Sequence, residues 1–279
     1  MANTKILVCC HKKDVCVSQE PYFPIHVGKA NSSVDLGIQG DDTGDNISTK
    51  NPHYAELTGM YWAWKNLKDV DIIGLCHYRR YFDFYGKSRI FMPFEVINTK
   101  ELQNVNFDVP LSIVKKVSQG RVVVSKPLHY MCNLATDYCR SHISDDFRIL
   151  QDVFKKTQSE KFVSAFNVVM FHNNAFIPYN MFIMTWKEFD RYCNWLFGVL
   201  DEVEKRIDVS QYSSLQTRVF AYMAERLLNV YIYAMKLSPI CKPILKIDDS
   251  PYKLSPWLFL RNRVRGDLAT KLAYSNTWL

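Results

Sequence analysis

Nowhere in the sequence do about 18 apolar residues run together, the length a membrane-spanning helix requires. The opening stretch MANTKILVCCHKK carries an apolar run too short for the core of a secretion signal. A soluble or membrane-peripheral protein is therefore expected. The eight cysteines include no C-x-x-C pair and no other zinc spacing. Several lie inside apolar runs, where cysteine acts as a small hydrophobe, so a reducing, cytoplasmic setting is expected. Glycine signatures for phosphate are missing too: neither G-x-G-x-x-G nor G-x-x-x-x-G-K-[ST] occurs. Without G-x-S-x-G, and with no cysteine in an evidently activated setting, a serine or cysteine hydrolase has little support. No internal repeat, low-complexity tract or proline-rich linker divides the chain.

What is present suits a folded α/β protein. The 279 residues are 48% apolar and 23% charged, enough for a full core. Aromatic residues reach 14%; most such rings fill core, and the rest suit stacking on flat or ringed ligands. Lys and Arg (35) outnumber Asp and Glu (28), a net charge of +7 that favours anionic partners such as nucleotides, phospholipid headgroups or nucleic acid. Nucleic acid is the less favoured of these, because the interleaved HYRRYF stretch comes with no RNP, KH or helix-turn-helix pattern.

Short apolar runs alternate with helical periodicity, as in βα units around a mainly parallel sheet. Strands are predicted over 5–10, 24–30, 70–78, 121–126, 166–172 and 180–185. Between the second and third, NPHYAELTGMYWAWKNL predicts a helix with Asn51 as N-cap, Pro52 at its first position, and Tyr54, Leu57, Tyr61 and Trp64 on the inward face. Thr185 and Glu188 have capping-box spacing at the head of a helix whose stripe is Phe189, Tyr192, Leu196, Leu200 and Val203. A deeply packed helix is predicted over 213–237. The organisation expected is thus a domain over 1–237, helical towards its end, and an extension over 238–279. That extension opens as a proline-punctuated connector and ends in a basic, aromatic element around Trp257, Phe259, Arg261 and Arg263, suited either to an anionic membrane surface or to docking on the core.

Sites of parallel sheets lie beyond the carboxyl ends of the strands. DIIGLCHYRRYFDF is a strand arriving at such an edge, and His77, Tyr78, Arg79 and Arg80 would stand at its mouth, where guanidinium forks grip diphosphate oxygens. The first strand ends likewise in His11, Lys12 and Lys13. Asp41, Asp42 and Asp45 in GDDTGDNISTKN suit hydroxyls or a cation, although Asx turns need no ligand and the spacing is not that of a calcium loop. His172 and Asn180 flank a stretch whose amides suit sugar hydroxyls or merely make a turn. Arg218, Glu225 and Arg226 lie on an otherwise apolar helix, where Glu225 is either half of a buried pair or a general base. Glu56 near a helix start either complements the dipole or does chemistry.

ILVCCHKK, PIHVGKA, GDDTGDNISTKNPHYAELTGMYWAWKN, IIGLCHYRRYF, YNMFIMTWKEFDRYCNWLFGVL and RVFAYMAERLLNVYIY stand in this order between residues 5 and 235. Together they resemble the bacterial capsular and exopolysaccharide glycosyltransferases marked by an H-Y-R-R-Y-F strand end and long described as a domain of unknown function. The resemblance implies a GT-A-like α/β fold, a Rossmann-type mainly parallel sheet flanked by helices with a helical C-terminal part. It implies a nucleotide-sugar donor, UDP-linked and carrying galactofuranose in some members, and a lipid-linked glycan acceptor at the anionic inner-membrane surface. It also implies His11, Lys12, Asp41, His77, Tyr78, Arg79 and Arg80 as the donor-binding set, Asn180 and His172 on the acceptor side, and Glu225 or Glu56 as the base of an inverting transfer. Other GT-A enzymes end this strand in Asp-x-Asp, which holds a metal; His77-Tyr78-Arg79-Arg80 has the opposite charge, so metal-independent transfer without a cofactor is expected. The alternative is a non-catalytic nucleotide- or glycan-binding protein of the same fold.

Overall fold

The computed structural model describes residues 2–86 and 93–250. In chain order the elements are β1 (Thr4–Cys10), β2 (Tyr22–His26), β3 (Gln39–Gly40), α1 (Asn51–Tyr54), α2 (Leu57–Asn66), β4 (Ile72–His77), β5 (Arg80–Phe82) and β6 (Phe94–Ile97). There follow α3 (Leu111–Ser118), β7 (Val122–Ser125), β8 (Leu128–His129), α4 (Leu134–Ser141), α5 (Ser144–Thr157) and α6 (Glu160–Phe171). The last are β9 (Ala175–Phe176), β10 (Phe182–Thr185), α7 (Trp186–Glu204), α8 (Val219–Ala234), β11 (Pro239–Lys242) and β12 (Ile244–Ile247).

The central sheet has the order β11-β7-β10-β4-β1-β2-β3. β4, β1, β2 and β3 are mutually parallel, β11 is parallel to β7, and β10 alone runs antiparallel between β4 and β7. β1 is buried from Ile6 to Cys10 and β4 from Ile72 to Cys76, the apolar continuity that a sheet covered on both faces demands. The two-residue period sorts the side chains. Leu7, Cys9, Ile73, Leu75 and Val124 face the layer of α2 and α4 to α8, while Ile6, Val8, Ile72, Cys76 and Val123 face α3, β5 and β12. Full burial of each such side chain contributes roughly 1.5–3 kcal/mol, so the two faces hold the strands in register. Among the described residues no helix is long and apolar enough to cross a membrane.

Most predicted elements form, and three differ. Of residues 166–172, predicted as a strand, Phe166 to Phe171 are the last turns of α6 and His172 caps its end. Ala165, Phe166, Val169 and Met170 are its buried side, a helical spacing that packs against α8, and this tertiary packing outweighs the strand preference of the adjacent valines. The helix predicted from Asn51 is broken in two by Ala55 (φ 46°, ψ −126°), and Asn51 is already helical rather than a cap. The segment read as a connector after 237 supplies two strands instead: β11 extends the sheet beside β7, and β12 pairs with β5 and β6. Thr185 caps α7 as its spacing predicts, its hydroxyl accepting from the Glu188 amide at 3.3 Å. The basic, aromatic element around Trp257 lies outside the described residues.

Candidate active site

β1 and β4 lie side by side with Cys9 opposite His77, so the residues that follow each strand leave the sheet together. His11 meets Tyr78 edge-on, ring centroids 5.2 Å apart. The structure brings His11, Glu56, His77, Tyr78, Arg79 and Arg80 to one cleft of about 660 Å³. Its other walls are Asn51, Pro52 and Ala55 from the α1–α2 break, Ser214, Thr217 and Arg218 from the approach to α8, and Lys246, Ile247 and Asp248 at the end of β12.

The break at Ala55 is what presents Glu56. A left-handed residue between two helical pieces redirects the chain, and the Asn51 side chain secures it by donating from Nδ2 to the Ala55 carbonyl at 2.8 Å and to Thr58 Oγ1 at 3.1 Å. Glu56 is 6% exposed. Its Oε1 accepts from Asn180 Nδ2 at 2.8 Å, and its Oε2 lies 3.9 Å from Arg218 Nη2. A buried carboxylate with one fixed hydrogen bond and one cation at ion-pair range is thus held at the cleft wall.

The cations are not equivalent. Arg79 is gripped by Asp14 through two hydrogen bonds, Nε to Oδ2 at 2.9 Å and Nη2 to Oδ1 at 3.2 Å, and lies 3.6 Å from Asp249. Its fork is therefore engaged within the protein. Arg80 stands over the Tyr179 ring at 5.0 Å and has no carboxylate partner among the described residues. Arg218 is about half exposed; it makes the long contact to Glu56, and its guanidinium lies 5.9 Å from the centre of the Tyr222 ring. Lys246 pairs with Asp248 at 3.2 Å.

Both histidines are biased towards the neutral form. Partial desolvation at the cleft wall lowers the His11 pKa, and Lys12 and Arg218 nearby lower it further. Burial likewise lowers that of His77, with Glu56 opposing. His77 Nε2 lies 2.8 Å from the Tyr179 carbonyl; since a carbonyl can only accept, the proton is on Nε2.

The remaining candidates stand elsewhere. Lys12 lies over the Tyr78 ring at 5.9 Å and 3.9 Å from Asp14, outside the lining. Asp41 is fully buried; its carboxylate accepts from the Gly28 and Lys29 amides at 2.8 and 3.0 Å and from the Ser48 hydroxyl, so the fold uses its acceptors. Asn180 sits behind Glu56 rather than on the cleft surface, and His172 is an exposed residue at the end of α6. Glu225 does not line the cleft: Oε1 accepts from the Tyr179 amide at 3.1 Å, and Oε2 pairs with Arg226 at 3.2 Å. Burial pushes its pKa up to about 7, against the pull of Arg226. Arg226 also meets Asp137 at 2.8 Å, so the buried pair weighed from sequence is present as a triad. Among the described residues no group of three or more His, Cys, Asp or Glu side chains could hold a metal ion.

The sequence reading missed Asp14, which neutralises Arg79, and Lys246, which lay in the expected connector. Arg218 was visible only as a charge where a polar run meets an apolar helix.

No curated protein matches the chain. Its structure is similar to the apo structure of WbbM, a bifunctional glycosyltransferase, with a TM-score of 0.80 and 29% sequence identity. The match covers 88% of this chain and 45% of the WbbM chain, so the protein spans less than half of that relative's length. Residues 5–236 match the family described as a domain of unknown function (DUF4422), and the chain belongs to that family.

Proposed function

We propose that the protein is a glycosyltransferase that moves a sugar from a nucleoside diphosphate donor to a glycan hydroxyl. The observation that carries this reading is the buried carboxylate of Glu56 in the same cleft as Arg80 and Arg218. Glycosyl transfer asks for that juxtaposition. As the bond between the anomeric carbon and diphosphate breaks, negative charge grows on the leaving group, and fixed cations stabilise it. On the other side a carboxylate takes the proton of the acceptor hydroxyl as its oxygen bonds to the anomeric carbon. Glu56 is the base in this scheme, and Arg80 and Arg218 receive the diphosphate. His11 and Tyr78 offer a ring surface to the nucleoside. The likeness to a bifunctional glycosyltransferase supports the reaction class.

With protein cations serving the leaving group, the transfer proceeds by single displacement with inversion and without a metal, on a GT-A-like sheet. The donor is UDP-linked and the acceptor a lipid-linked glycan of a surface polysaccharide, reached by a protein peripheral to the inner membrane. Galactofuranose is the sugar this reading favours.

Calorimetry with UDP, GDP, CMP and dTDP, each with and without Mn²⁺, tests the donor side. UDP binding that is unchanged by EDTA is expected, and failure of all four nucleotides to bind would favour a non-catalytic protein of the same fold. Glu56→Gln is expected to lower turnover about 10²–10⁴-fold, the usual size of a general-base contribution, while UDP affinity stays within about threefold.

A further inference from the structure

Three residues of the cleft, on three different elements, are fixed by one short turn that lies behind it. The turn is Ile177–Asn180, between β9 and β10, and Tyr179 (φ 79°) and Asn180 (φ 52°) are consecutive non-glycine residues in the left-handed region. Such a pair persists only where its surroundings determine it. Towards the cleft, the Tyr179 carbonyl accepts from His77 Nε2 at 2.8 Å, the Tyr179 ring lies 5.0 Å under the Arg80 guanidinium, and Asn180 Nδ2 donates to Glu56 at 2.8 Å. On the far side the turn is clamped. Asn229 of α8 accepts from the Ile177 amide at 2.8 Å and donates to its carbonyl at 3.1 Å, Ser125 of β7 donates to the Pro178 carbonyl at 2.7 Å, and Glu225 of α8 accepts from the Tyr179 amide at 3.1 Å.

We propose that Glu225 is a positioning residue: its carboxylate holds the Tyr179–Asn180 turn and, through it, sets the places of Glu56, His77 and Arg80. This rests on the transferase reading of the cleft and removes Glu225 from the chemistry. Both its oxygens are engaged by protein donors, one by the Tyr179 amide and one by Arg226, and it is absent from the cleft surface. Glu225 and Ser125 grip the two sides of one peptide, the Tyr179 N–H and the Pro178 carbonyl, where the turn enters its two left-handed residues. Asn229 holds the backbone at Ile177, and the Ala221 carbonyl of α8 accepts from Asn180 Nδ2 at 3.3 Å. Loss of Glu225 therefore leaves the Tyr179 N–H without its acceptor, at the residue whose carbonyl orients His77 and whose neighbour orients Glu56.

The test separates a positioning residue from a base by what each can tolerate. A base cannot be an amide, but the Tyr179 N–H is satisfied by any side-chain oxygen at that place. Two readouts are taken on wild type, Glu225→Gln and Glu225→Ala. The first needs no ligand: in protein labelled with ¹⁵N-histidine, long-range ¹⁵N–¹H spectra report the tautomer of His77. Wild type and Glu225→Gln are expected to show the Nε2–H form, and Glu225→Ala a mixture of tautomers. The second is UDP release from whichever of UDP-glucose, UDP-galactose and UDP-galactofuranose the wild type turns over. Glu225→Gln is expected within about threefold of wild type, because its amide oxygen keeps the Tyr179 bond and Arg226, which loses one acceptor, keeps its 2.8 Å pairing with Asp137. Glu225→Ala is expected to lose about 100-fold in kcat with KM little changed, the scale of an ångström of misplacement. If Glu225→Gln is as inactive as Glu225→Ala while His77 keeps its tautomer in both, Glu225 acts on substrate and the proposal is overturned. An unchanged His77 in Glu225→Ala overturns it as well. Should the wild type turn over none of the three donors, the transferase reading fails, and the His77 spectra still decide whether Glu225 holds the turn.

Discussion

Two adjacent arginines carry the same charge and face the same cleft, yet their surroundings give them different work. Arg79 is neutralised by the Asp14 fork, and this bond ties the segment after β1 to the segment after β4. Arg80 has no such partner among the described residues. Arg79→Ala is therefore expected to loosen residues 11–16 and lower stability by about 1.5–3 kcal/mol, the range for hydrogen bonds to a charged group, with a smaller effect on UDP binding. Arg80→Ala and Arg218→Ala are expected to leave the unfolding midpoint nearly unchanged and to weaken UDP binding about tenfold or more each. Calorimetry alongside urea unfolding distinguishes the patterns, and stronger loss of binding in Arg79→Ala than in Arg80→Ala would refute the division. His11 and His77 were legible in the sequence because each ends an apolar run, and the ends of parallel strands share an edge. The division between Arg79 and Arg80 was not, since it depends on Asp14, a loop aspartate that no periodicity points to. Glu56 could be named but not explained, because its hydrogen-bond partner is 124 positions away.

At the scale of elements, periodicity exposed the core strands and the capped helix from Trp186, whose signals are local. It failed where the outcome depends on what packs alongside. Phe166 to Phe171 read as a strand when taken alone, but Ser159 and Glu160 start a helix upstream, and the packing of α6 on α8 decides the matter. The break between α1 and α2 is a second case. No glycine or internal proline marks it, because it is held by the Asn51 side chain and by tertiary structure against the preference of Ala55. Backbone conformations of this kind cost on the order of 1–3 kcal/mol for a residue with a Cβ. Ala55→Gly should relieve most of that cost, less roughly 0.5–1 kcal/mol for the greater freedom of glycine in the unfolded chain, and so leave stability equal or up to about 2 kcal/mol higher. Ala55→Val, with a branched side chain at positive φ, should lower it by more than about 1 kcal/mol. Urea unfolding orders the three proteins, and a Val variant as stable as wild type would mean that the break does not store strain.

Across the whole molecule, groups buried against their charge make stability depend on pH, and two opposed contributions meet in the range where the protein would work. Burial lowers the pKa of His142 to about 4, with Arg226 adding to the effect, burial lowers those of His26 and His77 in the same direction, and partial desolvation lowers that of His11. A histidine held neutral in the fold binds fewer protons than in the unfolded chain, so stability falls as pH drops below about 6.5. Glu225 acts with the opposite sign. Its pKa rises from a usual 4.5 to about 7, chiefly by burial, with Glu56 raising it further and Arg226 and Arg80 opposing. The folded state therefore binds that proton more tightly, and stability rises as pH falls from about 7 towards 4.5, by about 3 kcal/mol at 1.36 kcal/mol per pKa unit. The histidine and Glu225 contributions therefore oppose each other between pH 7 and pH 5, with Glu225 blunting the acid loss of stability. Removing the titration while keeping the acceptor exposes its size. Glu225→Gln should be the more stable protein at pH 7 to 8 and should lose stability more steeply on acidification, its advantage shrinking by about 3 kcal/mol by pH 4.5. His142→Gln should show the reverse, a shallower acid limb than wild type. Urea unfolding of the three proteins between pH 4.5 and 8 measures these slopes. Parallel curves for wild type and Glu225→Gln would show that Glu225 titrates near its ordinary value, and that the triad with Arg226 and Asp137 offsets the desolvation of its carboxylate.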